Sequence, residues 1–284
     1  MADIINFLLL ISVMCLLLGV GLSIPFGKVL AVATQYQLVL RGLVANFVIV
    51  PCVFTLALRG MSFSPDVVIG LLVLASVPVA PLAPPFVGMG RGDVPYAVGL
   101  MLIVAFLSLP LTPLILMLSL PSSEAGLEID TLKILQTLLT AQVIPLSVGM
   151  IIRHARPMWA EKLLQFAPKL GQIGVVLTLT LITATQAQQI VDLGILPHLA
   201  SLLFIIVCVL IGDVMMRGEA AEIRRSLAIS TAIRNVALAL LIVGTNFPDS
   251  PAITIVFVFG LFSLIVSFTY GKIMIGSNVQ SAEA

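Results

Sequence analysis

Charge is what this sequence lacks most. Only 10% of its 284 residues are Asp, Glu, Lys or Arg, where an ordinary soluble domain carries roughly a quarter. With 60% hydrophobic residues and a mean hydropathy of +1.20, the chain cannot hide its apolar surface in one aqueous core. A bilayer is the solvent that accepts it. A net charge of +1 offers no basic surface to a nucleic acid and no acidic tail. Cysteine is scarce as well. Cys15, Cys52 and Cys208 all fall inside apolar runs, where the thiol reads as a small hydrophobe; no metal spacing or disulfide framework exists. The two histidines, His154 and His198, sit at span ends, which argues against a mid-depth proton relay. No Ser/His/Asp or Cys/His constellation is present, so the chain reads as neither an enzyme nor a cofactor carrier. Period-two alternation is missing, which excludes a transmembrane β-barrel. The first residues lack a basic stretch, so the first apolar run reads as a membrane span and not a cleaved signal peptide.

Long apolar runs are what the sequence has. They predict an all-α polytopic membrane protein, a single membrane domain over 1–284. Nine spans are expected, near 4–23, 37–58, 66–90, 94–118, 132–153, 169–190, 195–216, 224–246 and 250–274, each about the 20 residues that cross a hydrocarbon core. The longest connections follow span one, hold Ser122–Glu128, and precede Lys169. Nine crossings place eleven of the fourteen Lys and Arg on the side of the C-terminus. Only Arg59 and Lys133 lie opposite, and Arg234 lies inside a span. Positive residues stay inside, so the N-terminus is expected outside and the C-terminus in the cytoplasm.

Two spans break the apolar pattern. The third contains Pro78, Pro81, Pro84 and Pro85. Each proline removes a backbone donor and clashes one turn back, so this span cannot be one helix. Broken backbone at membrane depth survives only where protein covers it or it lines a wet cavity. The eighth span carries Ser226, Ser230, Thr231, Arg234 and Asn235. The two segments sit at matching places in a first half, 1–120, and a second half, 130–276, and run in opposite directions. That arrangement predicts inverted-topology repeats with a substrate site where the broken helices cross.

The order of motifs resembles the bile acid:sodium symporter family. The resemblance rests on Leu18–Leu22, Leu43–Pro51 with Asn46, the proline break followed by Arg91-Gly92-Asp93-Val94, Ile144–Arg153, and Arg234-Asn235-Val236-Ala237-Leu238-Ala239. It runs over nearly the whole chain. It implies a panel domain, a core domain with two crossing discontinuous helices, and sodium-driven transport of organic anions, here in a form lacking the family's first helix. A bacterial inner membrane is the implied home. This sequence departs from the family at the cation ligands. A Gly-Gly and a Ser-Asn pair are replaced by Val79-Ala80 and Ala83-Pro84. Hydroxyl ligands are replaced by Ala97 and Met101, and a Glu and a Gln by Ser230 and Arg234. These replacements argue against sodium coupling through the family's positions.

A central Arg costs about 2.5–3.5 kcal/mol to insert, so such a residue faces the bundle interior or a cavity. Arg234 is therefore expected either to hold a substrate anion or stand in for a bound cation, or to pair with carbonyls freed by the broken third span. Asn235, Ser230, Thr231 and Asn46 accompany it as site candidates, with Pro81 and Pro84 at the break; helix-to-helix hydrogen bonding is the plainer role for the hydroxyls and amides. Gly88–Gly92 mimics a phosphate loop but follows no strand. The sequence thus points to a secondary transporter of a small organic anion, working by alternating access around a midplane site. The rival reading is a non-transporting receptor or scaffold on the same fold. Partners are the organic anion and the bilayer, and a homo-oligomer is left open.

Overall fold

The computed structural model describes residues 2–120, 130–247 and 250–280; the connection expected at Ser122–Glu128 lies outside them. The described chain is all-helical, and its sole β-type pairing among the described residues is one isolated bridge. Helices dominate because no water reaches the hydrocarbon to satisfy exposed backbone groups. α1 (Ala2–Ser23) is followed by a short helix α2 (Phe26–Ala33). α3 (Tyr36–Val44) runs through a π-helical turn (Ala45–Ile49) into α4 (Val50–Arg59). The first broken segment is α5 (Pro65–Ser76) and α6 (Ala83–Met89), and α7 (Val94–Ser119) follows. α8 (Thr131–Leu138) likewise passes through a π turn (Leu139–Val143) into α9 (Ile144–Ala155). Both π turns precede a proline, Pro51 and Pro145; the wider turn makes room for a ring that would clash with the preceding carbonyl. Then come α10 (Pro157–Leu164), α11 (Ala167–Asp192) and α12 (Ile195–Met215). The second broken segment is α13 (Ala221–Ala232) and α14 (Val236–Asn246), and α15 (Ala252–Gln280) closes the fold.

Among the described residues, seven helical stretches are long and apolar enough to cross a membrane, counting α3/α4, α8/α9 and α10/α11 as one each. The two further expected crossings are the interrupted pairs α5/α6 and α13/α14, neither of which is one long helix. The expected spans near 66–90 and 224–246 fall within two residues of 65–89, and within three of 221–246, at their ends. Two stretches read as plain connections, 26–33 and 157–164, are helices.

Two groups of helices pack most closely, and they share the main core, which Ile5, Leu9, Val13 and Leu17 of α1 and Ile182 of α11 also enter. α1 packs against α9 and α11. Gly21 and Gly149 let α1 and α9 touch backbone to backbone; a Cβ on either would strike main-chain atoms of the other. The second group gathers α5, α7 and α12–α15 around the apolar core. Gly212 plays the same role there, for a Cβ would lie 2.6 Å from Cα of Ala228 on α13. Small residues at such contacts substitute close dispersion contact for the hydrophobic drive that lipid removes.

Candidate functional site at the helix crossing

The four prolines do what their chemistry dictates. α5 ends at Ser76, the chain is extended at Val77, and α6 starts at Ala83 with prolines in its first turn. The second segment has no proline between 221 and 246, yet α13 stops at Ala232 and α14 restarts at Val236. The two gaps meet. Val79 and Arg234 form an antiparallel bridge, in which Ala80 N–H donates to Ile233 O at 2.9 Å and Asn235 N–H donates to Pro78 O at 2.8 Å. Each break supplies partners for backbone groups that the other leaves unpaired. Asn235 then caps α14, its Oδ1 accepting from Leu238 N–H at 3.2 Å; asparagine is a favoured residue there.

Arg234 is 1% exposed and is among the largest fully buried side chains. Its Nε donates to Leu74 O at 3.1 Å, and its Nη2 donates to Ala75 O and, more weakly, to Asn46 O. Its Nη1 donates to Asn46 Oδ1 at 2.7 Å. Leu74 and Ala75 are the last turn of α5, whose carbonyls have no helical partner and carry the negative end of the helix dipole. The guanidinium therefore caps α5. No described carboxylate pairs with Arg234; the described salt bridges are Arg41–Glu219, Arg153–Glu161, Arg224–Asp213 and Arg225–Glu222. Asn46 reaches it from the π turn and also donates from Nδ2 to Gly42 O.

Beside the crossing lies a narrow apolar cavity between the two groups of helices. Leu9 and Leu16 of α1 and Val175 and Leu179 of α11 form one wall. Pro81, Leu82, Arg234, Asn235 and Ser263 contribute to the other. Of the residues singled out from sequence, Pro81, Arg234 and Asn235 line this cavity, whereas Asn46, Pro84, Ser230 and Thr231 do not. Ser230 Oγ, Thr231 Oγ1 and Asn235 Nδ2 are nevertheless buried without a hydrogen-bond partner, a costly state that native folds seldom keep without use. Ala83, Ala97 and Met101 fall into one apolar cluster with Val79, Ile229 and Ile233, so these cation-ligand replacements bring no side-chain oxygen.

Sequence reasoning missed two features. Ser263 lines the cavity, and nothing in an apolar α15 marks it. Arg225, counted only as an edge charge, is 3% exposed. Its Nη2 donates to Arg91 O at 2.8 Å and its Nε to the same oxygen at 3.2 Å, just past the end of α6. Its neighbour Arg224 instead pairs with Asp213, which also accepts from Tyr270.

Comparison with known proteins follows the same lines. The model of the family described as "Sodium Bile acid symporter family" matches residues 7–193. The hepatic sodium/bile acid cotransporter of Rattus norvegicus is 23% identical over 283 residues, covering 95% of this chain and 76% of that protein. The family match includes the first broken segment and ends before the second.

Proposed function

This chain belongs to the sodium bile acid symporter family, and on that footing we propose that it carries a small amphipathic organic anion across the membrane without coupling to sodium. It is an integral, multi-pass membrane protein, given seven helical stretches of crossing length among the described residues and its membership of a transporter family. In this reading the interrupted pairs make up nine crossings, the halves 1–120 and 130–276 are inverted repeats, and the N-terminus lies outside with the C-terminus in the cytoplasm. The α1/α9/α11 bundle and the α12–α15 bundle move against each other about the cavity.

One observation carries the proposal: a guanidinium with no carboxylate partner among the described residues is buried at the crossing, on the wall of a cavity between the two groups of helices. Its charge favours an anion in that cavity, and the apolar walls favour a ligand with a greasy body. Sodium, as a co-transported substrate, would need several oxygens, of the kind that unwound carbonyls and half-helix C-terminal ends supply in such transporters. Here the α5 carbonyls are taken by Arg234. Ala83, Ala97 and Met101 supply no side-chain oxygen. The arginine is thus a tethered cation in a place that suits a free one. The rat relative's name joins sodium to bile acid; we keep the amphipathic anion for this chain and drop the sodium.

Asn235 would donate from its free Nδ2 to the substrate, and Ser230 and Thr231 would complete the polar lining once the bundles shift. The test is uptake into proteoliposomes of amphipathic carboxylates and sulfonates, in sodium or choline buffer, with an imposed potential. Sodium-independent uptake that rises with an inside-positive potential is expected. Strict sodium dependence would overturn the coupling. Ligand binding with no uptake would return the chain to the receptor reading.

A further inference from the structure

We propose that the membrane edge formed by α2, α9 and α10 is a binding site for an anionic phospholipid. An apolar groove of about 450 Å³ runs there between Phe26 of α2, Phe106 of α7 and the Ser147, Met150, Ile151 and His154 face of α9. Nothing polar but a hydroxyl and an imidazole interrupts it, which suits an acyl chain. The chain leaves the groove at Ala155 and turns at once into α10. The end of α9, that turn, α10 and the start of α11 concentrate positive charge. Arg153, Arg156, Lys162 and Lys169 stand against Glu161, a net +3 over residues 153–169 with His154 neutral. Glu161 is engaged by Arg153 at 3.6 Å, and Arg156, Lys162 and Lys169 are exposed with no acidic partner among the described residues.

Aromatic residues fix the depth of this edge. Trp159 and Phe166 are each 63% exposed, and Lys162 Nζ lies 5.8 Å from the Trp159 ring centre. Exposed tryptophan beside basic side chains is the composition of a membrane–water interface, where rings sit at headgroup level and long cationic side chains reach out to the phosphates. A soluble anion would use the charges and leave the groove idle. A phospholipid uses both, its acyl chain in the groove and its phosphate on Arg156, Lys162 and Lys169. Juxtamembrane basic clusters attract anionic headgroups in this way.

Trp159 is the chain's one tryptophan, so its fluorescence reports on this edge alone. The full chain is placed in phosphatidylcholine nanodiscs containing a fixed fraction of acyl-brominated lipid, either phosphatidylglycerol or phosphatidylcholine. Brominated phosphatidylglycerol is expected to quench at a several-fold lower mole fraction, given about fivefold enrichment per contacting basic residue. The exposed triple variant R156Q/K162Q/K169Q should lose that preference while still eluting as the parent does. Ser147→Phe, which fills the groove, should weaken quenching by both lipids. Equal quenching by the two lipids in the parent would overturn the site. A preference that survives the triple variant would overturn the charge assignment. Competition by soluble glycerol phosphate would overturn the lipid as ligand.

Discussion

The first broken segment and the second are interrupted by different means, and the difference explains how they fit. In α5/α6 the break is covalent. Pro78, Pro81, Pro84 and Pro85 remove donors, so the segment ends in acceptors that nothing in its own helix can satisfy. In α13/α14 no residue forbids a helix, and the gap at Ile233–Asn235 exists because those residues pair across to Pro78–Ala80. The second segment answers with donors. Arg234 serves the end of α5, and Arg225 serves Arg91 O just beyond α6. One segment presents carbonyl ends and the other caps them with guanidinium groups. A crossing closed in this way is held together by the chain's own cationic side chains.

The largest expected effect comes from breaking that complementarity at Arg234. Arg234→Met would leave Leu74 O, Ala75 O and Asn46 Oδ1 buried without their donor. Each such orphan costs about 1–3 kcal/mol, so the variant should lose most of its thermal stability in detergent and all uptake. Arg234→Lys keeps the charge but not the planar fork, and should fall between. Arg234→Gln sharpens the comparison. It keeps an amide donor and removes the charge, which frees the negative end of α5 for an external cation. Its melting temperature should rise in sodium relative to choline. A variant indifferent to sodium would sink the idea that the guanidinium holds a cation's place.

Asn235 separates holding the crossing from using it. Asn235→Asp keeps the acceptor that caps α14 and deletes the one amide donor left unpaired at the cavity. It also sets a carboxylate next to Arg234. The melting temperature should stay within a few degrees of the parent while anion uptake falls at least tenfold, a barrier of about 1.4 kcal/mol. Retained uptake would remove Asn235 from the site.

Arg225 tests the other junction. Arg225→Gln removes a doubled charge-assisted bond to Arg91 O, worth about 1.5–3 kcal/mol. Arg91 itself sits at φ 52, a left-handed conformation that costs a side chain about 1–2 kcal/mol and that the bond helps to hold. A moderate fall in melting temperature, smaller than for Arg234→Met, should accompany a partial loss of uptake.

What the sequence could disclose follows from the same chemistry. The first break was readable because proline acts on its own helix. The second was not, because α13 stops through contacts with residues about 155 positions earlier; only its polarity showed. Asn46 could be read as a site residue or as a helix–helix amide with equal reason, because its partner Arg234 stands 188 residues away. Arg224 and Arg225 are adjacent and chemically alike, so composition cannot say that one turns to Asp213 and the other inward to Arg91 O. α2 and α10, at eight residues each, are too short to cross and therefore read as connections.

The smallest effect belongs to Ser230 and Thr231, and it decides what the second segment's remaining polarity is for. Both are fully buried, and neither hydroxyl has a partner. Many such groups in this chain bond back along their own helix, as Ser226 does to Glu222 O and Thr245 to Leu241 O, while Thr55, Ser201 and Ser267 share the unpaired state. An unpaired buried hydroxyl is a liability of about 1–3 kcal/mol on mutational scales. Ser230→Ala and Thr231→Val remove it at little change in volume, so each should leave the fold unchanged or raise its stability by up to about 1 kcal/mol. If the hydroxyls serve a substrate when the bundles move, KM for uptake should rise several-fold in the same variants that melt higher. Higher stability with unchanged KM would assign them to packing and leave the cavity's polar chemistry to Arg234 and Asn235 alone.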